Sequence, residues 1–205
     1  MAFEPGATST IVGSLSVTAI QMAVALLLAA RFIRSYKLAR VDGAIVLWLI
    51  WDSMIHLMLE TPFVIISLQH PIIESDSIFA VVWKEYARAD ARWGVSDSCV
   101  VCLEILTCFI CLPLCVANIY GICKRSPWRH FVQITVCVME LYGGFMTFGP
   151  EWITGSKYLN TSDPLLLWVY LVFFNILWVI VPIGLLVQSW NHICEAFSQS
   201  KSKQF

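Results

Sequence analysis

The sequence predicts an all-α, polytopic membrane protein built as a bundle of five transmembrane helices. Hydrophobic residues make up 59% of the 205 residues and charged residues only 13%, and the mean hydropathy is +0.75. This composition is typical of chains that cross a bilayer several times. Five separate apolar runs are long enough to do so, and each is predicted to be a helix because a spanning segment must satisfy its own backbone hydrogen bonds.

The five runs share a length close to the roughly 20 residues that a helix needs to cross the hydrocarbon core. They are about residues 11–30, 44–68, 99–122, 131–148 and 165–190. We interpret the first run as a retained signal anchor, because no Lys or Arg precedes it and it is too long for the apolar part of a typical signal peptide. Residues 1–205 are therefore predicted to form one transmembrane domain that ends in a tail at 191–205.

The basic residues predict the orientation. Of the 13 Lys and Arg residues, nine fall on one side of the predicted membrane and four on the other, and the positive-inside rule places the larger group in the cytosol. The N-terminus is then lumenal and the C-terminus cytosolic. In that position the ending Lys201-Ser202-Lys203-Gln204-Phe205 resembles the dilysine signal that returns proteins to the endoplasmic reticulum membrane, with a solvated basic tail as the alternative.

The longest predicted connection, residues 69–98, falls on the lumenal side. It is too long for a simple turn. Within it, residues 83–93 mix aromatic and charged side chains, a pattern that suits an interfacial helix or a lid. A plain anchor at the headgroup level is the alternative.

Three ionisable residues, Asp52, His56 and Glu60, follow one another at intervals of four inside the second predicted span. Steps of four on a helix with about 3.6 residues per turn keep all three on one face. A charged side chain at the bilayer centre costs about 3 kcal/mol on insertion scales. The three side chains must therefore face protein, water or substrate.

Polar side chains in the other spans could meet this face. The third span contributes Glu104 and Thr107 and the fifth contributes Asn175 and Trp178, each pair being three residues apart on one side of its helix. In the fourth span, Glu140 is followed closely by Tyr142. Such a pocket has the groups needed to move a proton on an apolar substrate.

Structural roles remain open for several of these residues. Asn175 can hold two helices together, Thr107 can bond the backbone of its own helix, and Trp178 can serve packing alone. Glu60 can act only by holding His56 in place.

The sequence argues against several classes of function. It contains no nucleophile elbow, phosphate-binding glycine loop or His-Glu-x-x-His pair. Because His56 is the only histidine within a predicted span, we expect no metal, and we interpret the eight cysteines mainly as small apolar residues. A net charge of -1 without a dense basic block argues against nucleic acid.

Four runs of the chain, in this order and spacing, resemble the emopamil-binding proteins, the sterol Δ8-to-Δ7 isomerases of the endoplasmic reticulum within the wider EXPERA family. They are Ile55-His56-Leu57-Met58-Leu59-Glu60, Trp83-Lys84-Glu85-Tyr86 with Asp90 and Arg92, Val101-Cys102-Leu103-Glu104-Ile105-Leu106-Thr107, and Asn175-Ile176-Leu177-Trp178. Asp52 and Glu140-Leu141-Tyr142-Gly143 make the chain most similar to the emopamil-binding-protein-like branch.

The resemblance implies an enzyme that shifts a ring double bond by protonation and deprotonation through a carbocation, with no cofactor. It implies a proton-handling set of His56, Glu60, Glu104 and Asn175. It also implies a sterol site lined by Thr107 and Trp178, and we expect Tyr142 and Asp52 to contribute to the same lining. In one division of roles, Glu104 lies near the cationic carbon, Glu60 orients His56, and the face of Trp178 stabilises positive charge.

The resemblance also implies lipophilic cationic amines as ligands, since they mimic the carbocation. Asp52 and Glu140 depart from the isomerase pattern, so a sterol- or amine-binding protein without turnover stays open, as does a proton-linked carrier. Membrane lipid is an expected partner, and a homodimer is an assembly that the sequence leaves open.

Overall fold

Seven α-helices and one short 3-10 helix (Ile72–Glu74) form the protein in the computed structural model, which describes residues 4–202. In chain order the α-helices are α1 (Thr8–Tyr36), α2 (Arg40–Ser67), α3 (Ala80–Tyr86), α4 (Ala91–Gly94), α5 (Ser98–Cys123), α6 (Arg129–Thr154) and α7 (Leu166–Gln199). All except the short α3 and α4 are long and apolar enough to cross a membrane. The described residues contain no β-strand, so the predicted all-α bundle of five spanning helices is confirmed.

The spanning helices extend beyond the predicted apolar runs at most of their ends. Helix α1 continues through Arg34, whose Nε donates a 3.2 Å hydrogen bond to the carbonyl of Ala30, because charged residues at a membrane surface do not interrupt a helix. Helix α7 continues beyond Gln199 to Ser202 and so includes most of the predicted tail. The side chain of Lys201 and residues 203–205, which complete the dilysine-like ending, lie outside the described part of the chain.

Helix α2 lies at the centre of the bundle. It packs against α1 and α5, while α6 packs against α5 and α7. Trp178 connects α7 to α2, because the centroid of its ring lies 5.4 Å from the ring centroids of both Trp48 and Trp51 on α2. In the most apolar stretch of α2, half of the residues are buried inside the protein, whereas the buried share of the corresponding stretch is 17–28% in the other four spanning helices. The polar face of α2 is therefore turned toward protein.

Helices α2 and α5 each contain one π-helical turn, at His56–Glu60 and Thr107–Cys111. In both helices a proline, Pro62 or Pro113, follows two residues after the turn. Proline lacks an N–H, and its ring collides with the carbonyl four residues earlier, so the backbone before it is displaced from α-helical geometry. The hydroxyl of Thr61 donates a 2.8 Å hydrogen bond to the carbonyl of His56 in the first of these turns.

The segment between α2 and α5, residues 68–97, which we call the cap segment, folds over one end of the bundle. The rings of Trp83 and Trp93 stack in parallel with centroids 4.6 Å apart. Trp83 also donates a 3.0 Å hydrogen bond from Nε1 to the carbonyl of Leu59 on α2. The predicted helix in this segment is present, and its aromatic side chains attach it to the bundle.

A buried ion pair stabilises the cap segment. Arg92 binds Asp90 through two parallel hydrogen bonds, Nε to Oδ1 at 2.9 Å and Nη2 to Oδ2 at 2.6 Å. Burial disfavours the charged guanidinium, but hydrogen bonds and charge from Asp90 outweigh it and raise the pKa of Arg92. Glu151 at the end of α6 adds a contact of 3.8 Å to Nε. The cap segment is thereby connected to α6.

Candidate functional site

A cavity of about 250 Å³ lies among the five spanning helices beneath the cap segment. The structure brings seven of the eight residues predicted from sequence into its wall. They are His56, Glu60, Glu104, Thr107, Tyr142, Asn175 and Trp178. Asp52, the eighth, was expected to line the sterol site, but it lies behind His56 and is fully buried.

His56 lies between two carboxylates of its own helix. Its Nδ1 is 2.6 Å from Oε2 of Glu60 and its Nε2 is 3.2 Å from Oδ2 of Asp52. The Glu60 contact is a hydrogen bond. The Asp52 contact lacks hydrogen-bond geometry, and Nε2 has no other hydrogen-bond partner among the described residues. The spacing of four places one carboxylate on each side of the imidazole, as the sequence predicts.

Asp52 connects α2 to two other spanning helices. Its Oδ1 accepts a 2.8 Å hydrogen bond from Nε1 of Trp178 on α7. Its Oδ2 accepts a 3.3 Å hydrogen bond from Sγ of Cys115 on α5. The indole of Trp178 is held in the cavity wall by this contact. Asp52 therefore positions other wall residues without forming part of the wall itself.

Two further carboxyl groups in the cavity wall, Glu104 and Glu140, lack a full set of partners. Oε2 of Glu104 and both carboxyl oxygens of Glu140 are buried without a hydrogen-bond partner among the described residues. The cavity wall thus contains three carboxyl groups, those of Glu60, Glu104 and Glu140, together with the imidazole of His56, and no Lys or Arg of the described chain lines the cavity.

Asn175 uses its amide to join the cap segment to α7. Nδ2 is a donor to the hydroxyl of Tyr86 at 3.1 Å and to the carbonyls of Tyr170 and Leu171 at 3.1 and 2.9 Å. Burial raises the pKa of Tyr86, so its hydroxyl keeps its proton. These bonds support the interhelical role that was left open for Asn175, although its side chain also lines the cavity.

Thr107 likewise has a structural contact. Its hydroxyl donates a 3.0 Å hydrogen bond to the carbonyl of Leu103, one turn earlier in α5. This is the backbone bond left open from the sequence. Thr107 also lines the cavity, and a threonine hydroxyl that donates one hydrogen bond still has lone pairs that can accept another.

Sequence reasoning missed four residues at the site. Trp83 and Tyr86 belong to the cap segment and close one end of the cavity; they were quoted for the resemblance but given no role. Cys111 lines the cavity and Cys115 lies behind it, next to Asp52. Their spacing of four, which equals that of Asp52 and His56 on the facing helix, was the available signal.

Comparisons with known proteins identify the family to which the chain belongs. The family model EXPERA (EXPanded EBP superfamily) matches residues 78–189. A probable 3-beta-hydroxysteroid-Delta(8),Delta(7)-isomerase of Oryza sativa subsp. japonica is 30% identical over 173 residues, which cover 82% of this chain and 76% of that protein. The 3-beta-hydroxysteroid-Delta(8),Delta(7)-isomerase of Mus musculus is 32% identical over 157 residues, or 76% and 67% of the two chains.

A relative with a different name shares the same region. An isomeliandiol synthase of Melia azedarach is 26% identical over 156 residues, which cover 75% of this chain and 71% of that protein. The matched family model covers more than half of the chain and includes the cap helices, Glu104, Asn175 and Trp178. The chain therefore belongs to the EXPERA family.

Proposed function

We propose that this protein is a membrane-bound sterol isomerase that moves a ring double bond from the Δ8 to the Δ7 position. The observation that carries the proposal is a largely apolar cavity whose wall holds the hydrogen-bonded His56–Glu60 pair beside the incompletely partnered carboxyl of Glu104. Relatives at about 30% identity carry the name of this activity.

The reaction balances without a redox partner. A Δ8 sterol has its double bond between C8 and C9, and the Δ7 product has it between C7 and C8. One proton adds to C9, the positive charge forms at C8, and one proton leaves C7. The site must therefore supply an acid, tolerate a cation and accept a proton, all away from water.

The residues in the wall provide these functions. Glu104 has a buried oxygen without a hydrogen-bond partner among the described residues and lines the cavity together with Glu60 and His56, so we place it beside the cationic carbon. His56 exchanges a proton with the substrate, and Glu60 orients the imidazole through the 2.6 Å bond to Nδ1. Because the indole N–H of Trp178 is bound to Asp52, the π face of the ring is available to stabilise positive charge.

A second candidate is a protein that binds sterols or lipophilic cationic amines without turnover. The supporting observation is that both imidazole nitrogens of His56 face carboxylates, at 2.6 and 3.2 Å. This arrangement favours a fixed imidazole over one that moves toward a substrate. The excess of carboxyl groups also suits a bound cation, because a lipophilic amine in its protonated form would neutralise part of their negative charge.

Complementation distinguishes the two candidates. We would express the full chain in yeast that lacks its own sterol isomerase and measure Δ8 and Δ7 sterols. The isomerase proposal predicts that Δ8 sterols are converted, and that a Glu104→Gln variant of equal abundance leaves them in place. Persistent Δ8 sterols together with folded protein that still binds a labelled lipophilic amine would instead support the binding function.

We also propose that the protein resides in the endoplasmic reticulum membrane with its N-terminus and cap segment lumenal. The asymmetry of basic residues supports this orientation. Its consequence is that the cavity lies nearer the lumenal half of the bilayer, because the cap segment forms part of its wall.

A further inference from the structure

Two pairs of potential metal ligands face each other across α2 and α5. Asp52 and His56 are four residues apart on α2, and Cys111 and Cys115 are four residues apart on α5. The donor atoms of His56, Cys111 and Cys115 all lie within 4.8 Å of one another. Oδ2 of Asp52 lies 3.2 Å from Nε2 of His56 and 3.3 Å from Sγ of Cys115.

We propose that these four side chains form a binding site for a zinc ion or a divalent cation of similar ligand preference. Two thiolates, one imidazole and one carboxylate are ligands that zinc accepts in tetrahedral sites. With Zn–S bonds of about 2.3 Å and a Zn–N bond of about 2.0 Å, a tetrahedral ion holds these atoms about 3.5–3.8 Å apart. The donor atoms of His56, Cys111 and Cys115, which lie within 4.8 Å of one another, therefore need to approach by about 1 Å.

The contacts behind the ligands support this site. Glu60 binds Nδ1 of His56 at 2.6 Å, which leaves Nε2 with no hydrogen-bond partner among the described residues. Trp178 binds Oδ1 of Asp52 at 2.8 Å, which leaves Oδ2 directed at the cluster. A carboxylate on the far nitrogen of a ligating histidine, and a hydrogen bond to a ligating carboxylate, are the usual outer contacts of metal sites.

The surroundings of the cluster are compatible with a bound cation. Glu60, Glu104 and Glu140 line the cavity together with His56, and the described cavity wall contains no Lys or Arg that would repel an ion. Zinc binding by Cys111 and Cys115 releases their two thiol protons, so the ion and its two thiolates together add no net charge to the site. His56 and Cys111 are part of the cavity wall, so the cluster has a route by which an ion can enter.

This proposal departs from the expectation of no metal, for an identifiable reason. No metal was expected because His56 is the only histidine within a predicted span. The structure instead buries all four side chains in the protein interior, with Asp52 and Cys115 fully buried. The isomerisation itself requires no metal, so binding of an ion is a separate property. An ion that occupies Nε2 of His56 would compete with proton transfer at that nitrogen.

The test measures metal on the full chain in lipid nanodiscs. Protein stripped with a chelator is loaded with zinc, freed of excess metal and analysed for bound zinc by mass spectrometry. Cobalt loading supplies a second readout, because thiolate ligands give a cobalt charge-transfer band that oxygen and nitrogen ligands do not. The proposal predicts about one zinc per chain, in line with a single four-ligand site, and the thiolate band with cobalt.

Matched cysteine pairs provide the control. The double variant Cys111→Ser/Cys115→Ser removes both proposed thiolates, whereas Cys99→Ser/Cys102→Ser removes a more exposed pair from the start of the same helix. We expect loss of bound zinc and of the cobalt band in the first variant only. The single variant Cys115→Ser guards against a folding defect and should lower zinc affinity by at least about 10-fold. Folded wild-type protein that retains no zinc, or zinc lost only with Cys99 and Cys102, would overturn the proposal.

Discussion

The indole of Trp178 on α7 donates a 2.8 Å hydrogen bond to the fully buried carboxylate of Asp52 on α2. This contact joins the two helices at the level of His56 and turns the indole ring toward the cavity. A carboxylate that accepts a charge-assisted bond from a donor such as an indole is a strong local constraint. Asp52 is therefore a positioning residue that acts on the site through Trp178 and His56.

Replacement of Asp52 should separate the effects of shape and charge. Asp52→Ala leaves the indole N–H of Trp178 buried and unpaired, and we expect a loss of stability of about 1–3 kcal/mol. Asp52→Asn keeps an acceptor for the indole but removes the charge beside His56. We expect the Asn variant to be the more stable of the two and to change the pH profile of turnover. Thermal unfolding in detergent and a sterol isomerase assay measure these effects; equal behaviour of the two variants would contradict the positioning role.

Loss of a proton-handling residue should abolish turnover without loss of folding. Glu104→Gln and His56→Ala remove one acid or base each, and removal of such a group typically lowers turnover by about 10²- to 10⁴-fold. We expect lipophilic-amine binding to persist in part, since neither variant changes the shape of the apolar wall greatly. Glu195→Gln is the control, because this carboxyl is exposed on the same protein and lies outside the cavity wall. Parallel loss of binding and of folded protein would indicate a structural role instead.

The wall contributed by α6 should control access of a bulky substrate. Gly143 and Gly144 line the cavity, and a Cβ added at either position would meet no atom within 4 Å. Gly144→Ala should thus be tolerated, whereas Gly144→Leu would extend into the space needed by a sterol and should raise KM. Gly184→Leu on α7 is the matched control, since Gly184 is exposed, outside the wall and equally free of neighbours. A KM that rises equally in both Leu variants would argue against this wall as part of the sterol site.

The spanning helices and much of the site could be predicted from the sequence because both depend on local patterns. Length and hydropathy define the five spans, and the four-residue spacing of Asp52, His56 and Glu60 places them on one face. Groups as polar as these must leave the lipid, so their convergence with Glu104 and Trp178 also follows.

The remaining features depend on tertiary packing that no local pattern specifies. Pro62 and Pro113 are visible in the sequence, but the π-helical turns before them arise only where neighbouring helices accept the displaced backbone. Asp52 was expected in the cavity wall, yet its carboxylate instead accepts hydrogen bonds from Cys115 and Trp178 on two other helices. The folding of the cap segment over the bundle likewise rests on contacts between distant residues.

The orientation can be tested with tags at the two termini. If the side of the membrane that carries nine of the 13 Lys and Arg residues is cytosolic, an antibody should reach a C-terminal tag once the plasma membrane alone is permeabilised. The antibody should reach an N-terminal tag only after the endoplasmic reticulum membrane is also permeabilised. Removal of Arg31 and Arg34 should weaken this preference. Early access to the N-terminal tag would contradict the proposed topology.

The cap segment should depend strongly on its buried ion pair. Arg92→Ala leaves the carboxylate of Asp90 buried without its two hydrogen bonds, and breaking a buried pair in this way costs about 3–5 kcal/mol. The pair between Arg129 and Asp42 is partly exposed, with a contact of 2.9 Å, so Arg129→Ala should cost about 1 kcal/mol or less. Thermal unfolding of both variants measures the difference. Since the cap segment places Trp83 and Tyr86 in the cavity wall, Arg92→Ala should also weaken ligand binding. An Arg92→Ala variant that unfolds no earlier than Arg129→Ala would show that this ion pair does not stabilise the cap segment.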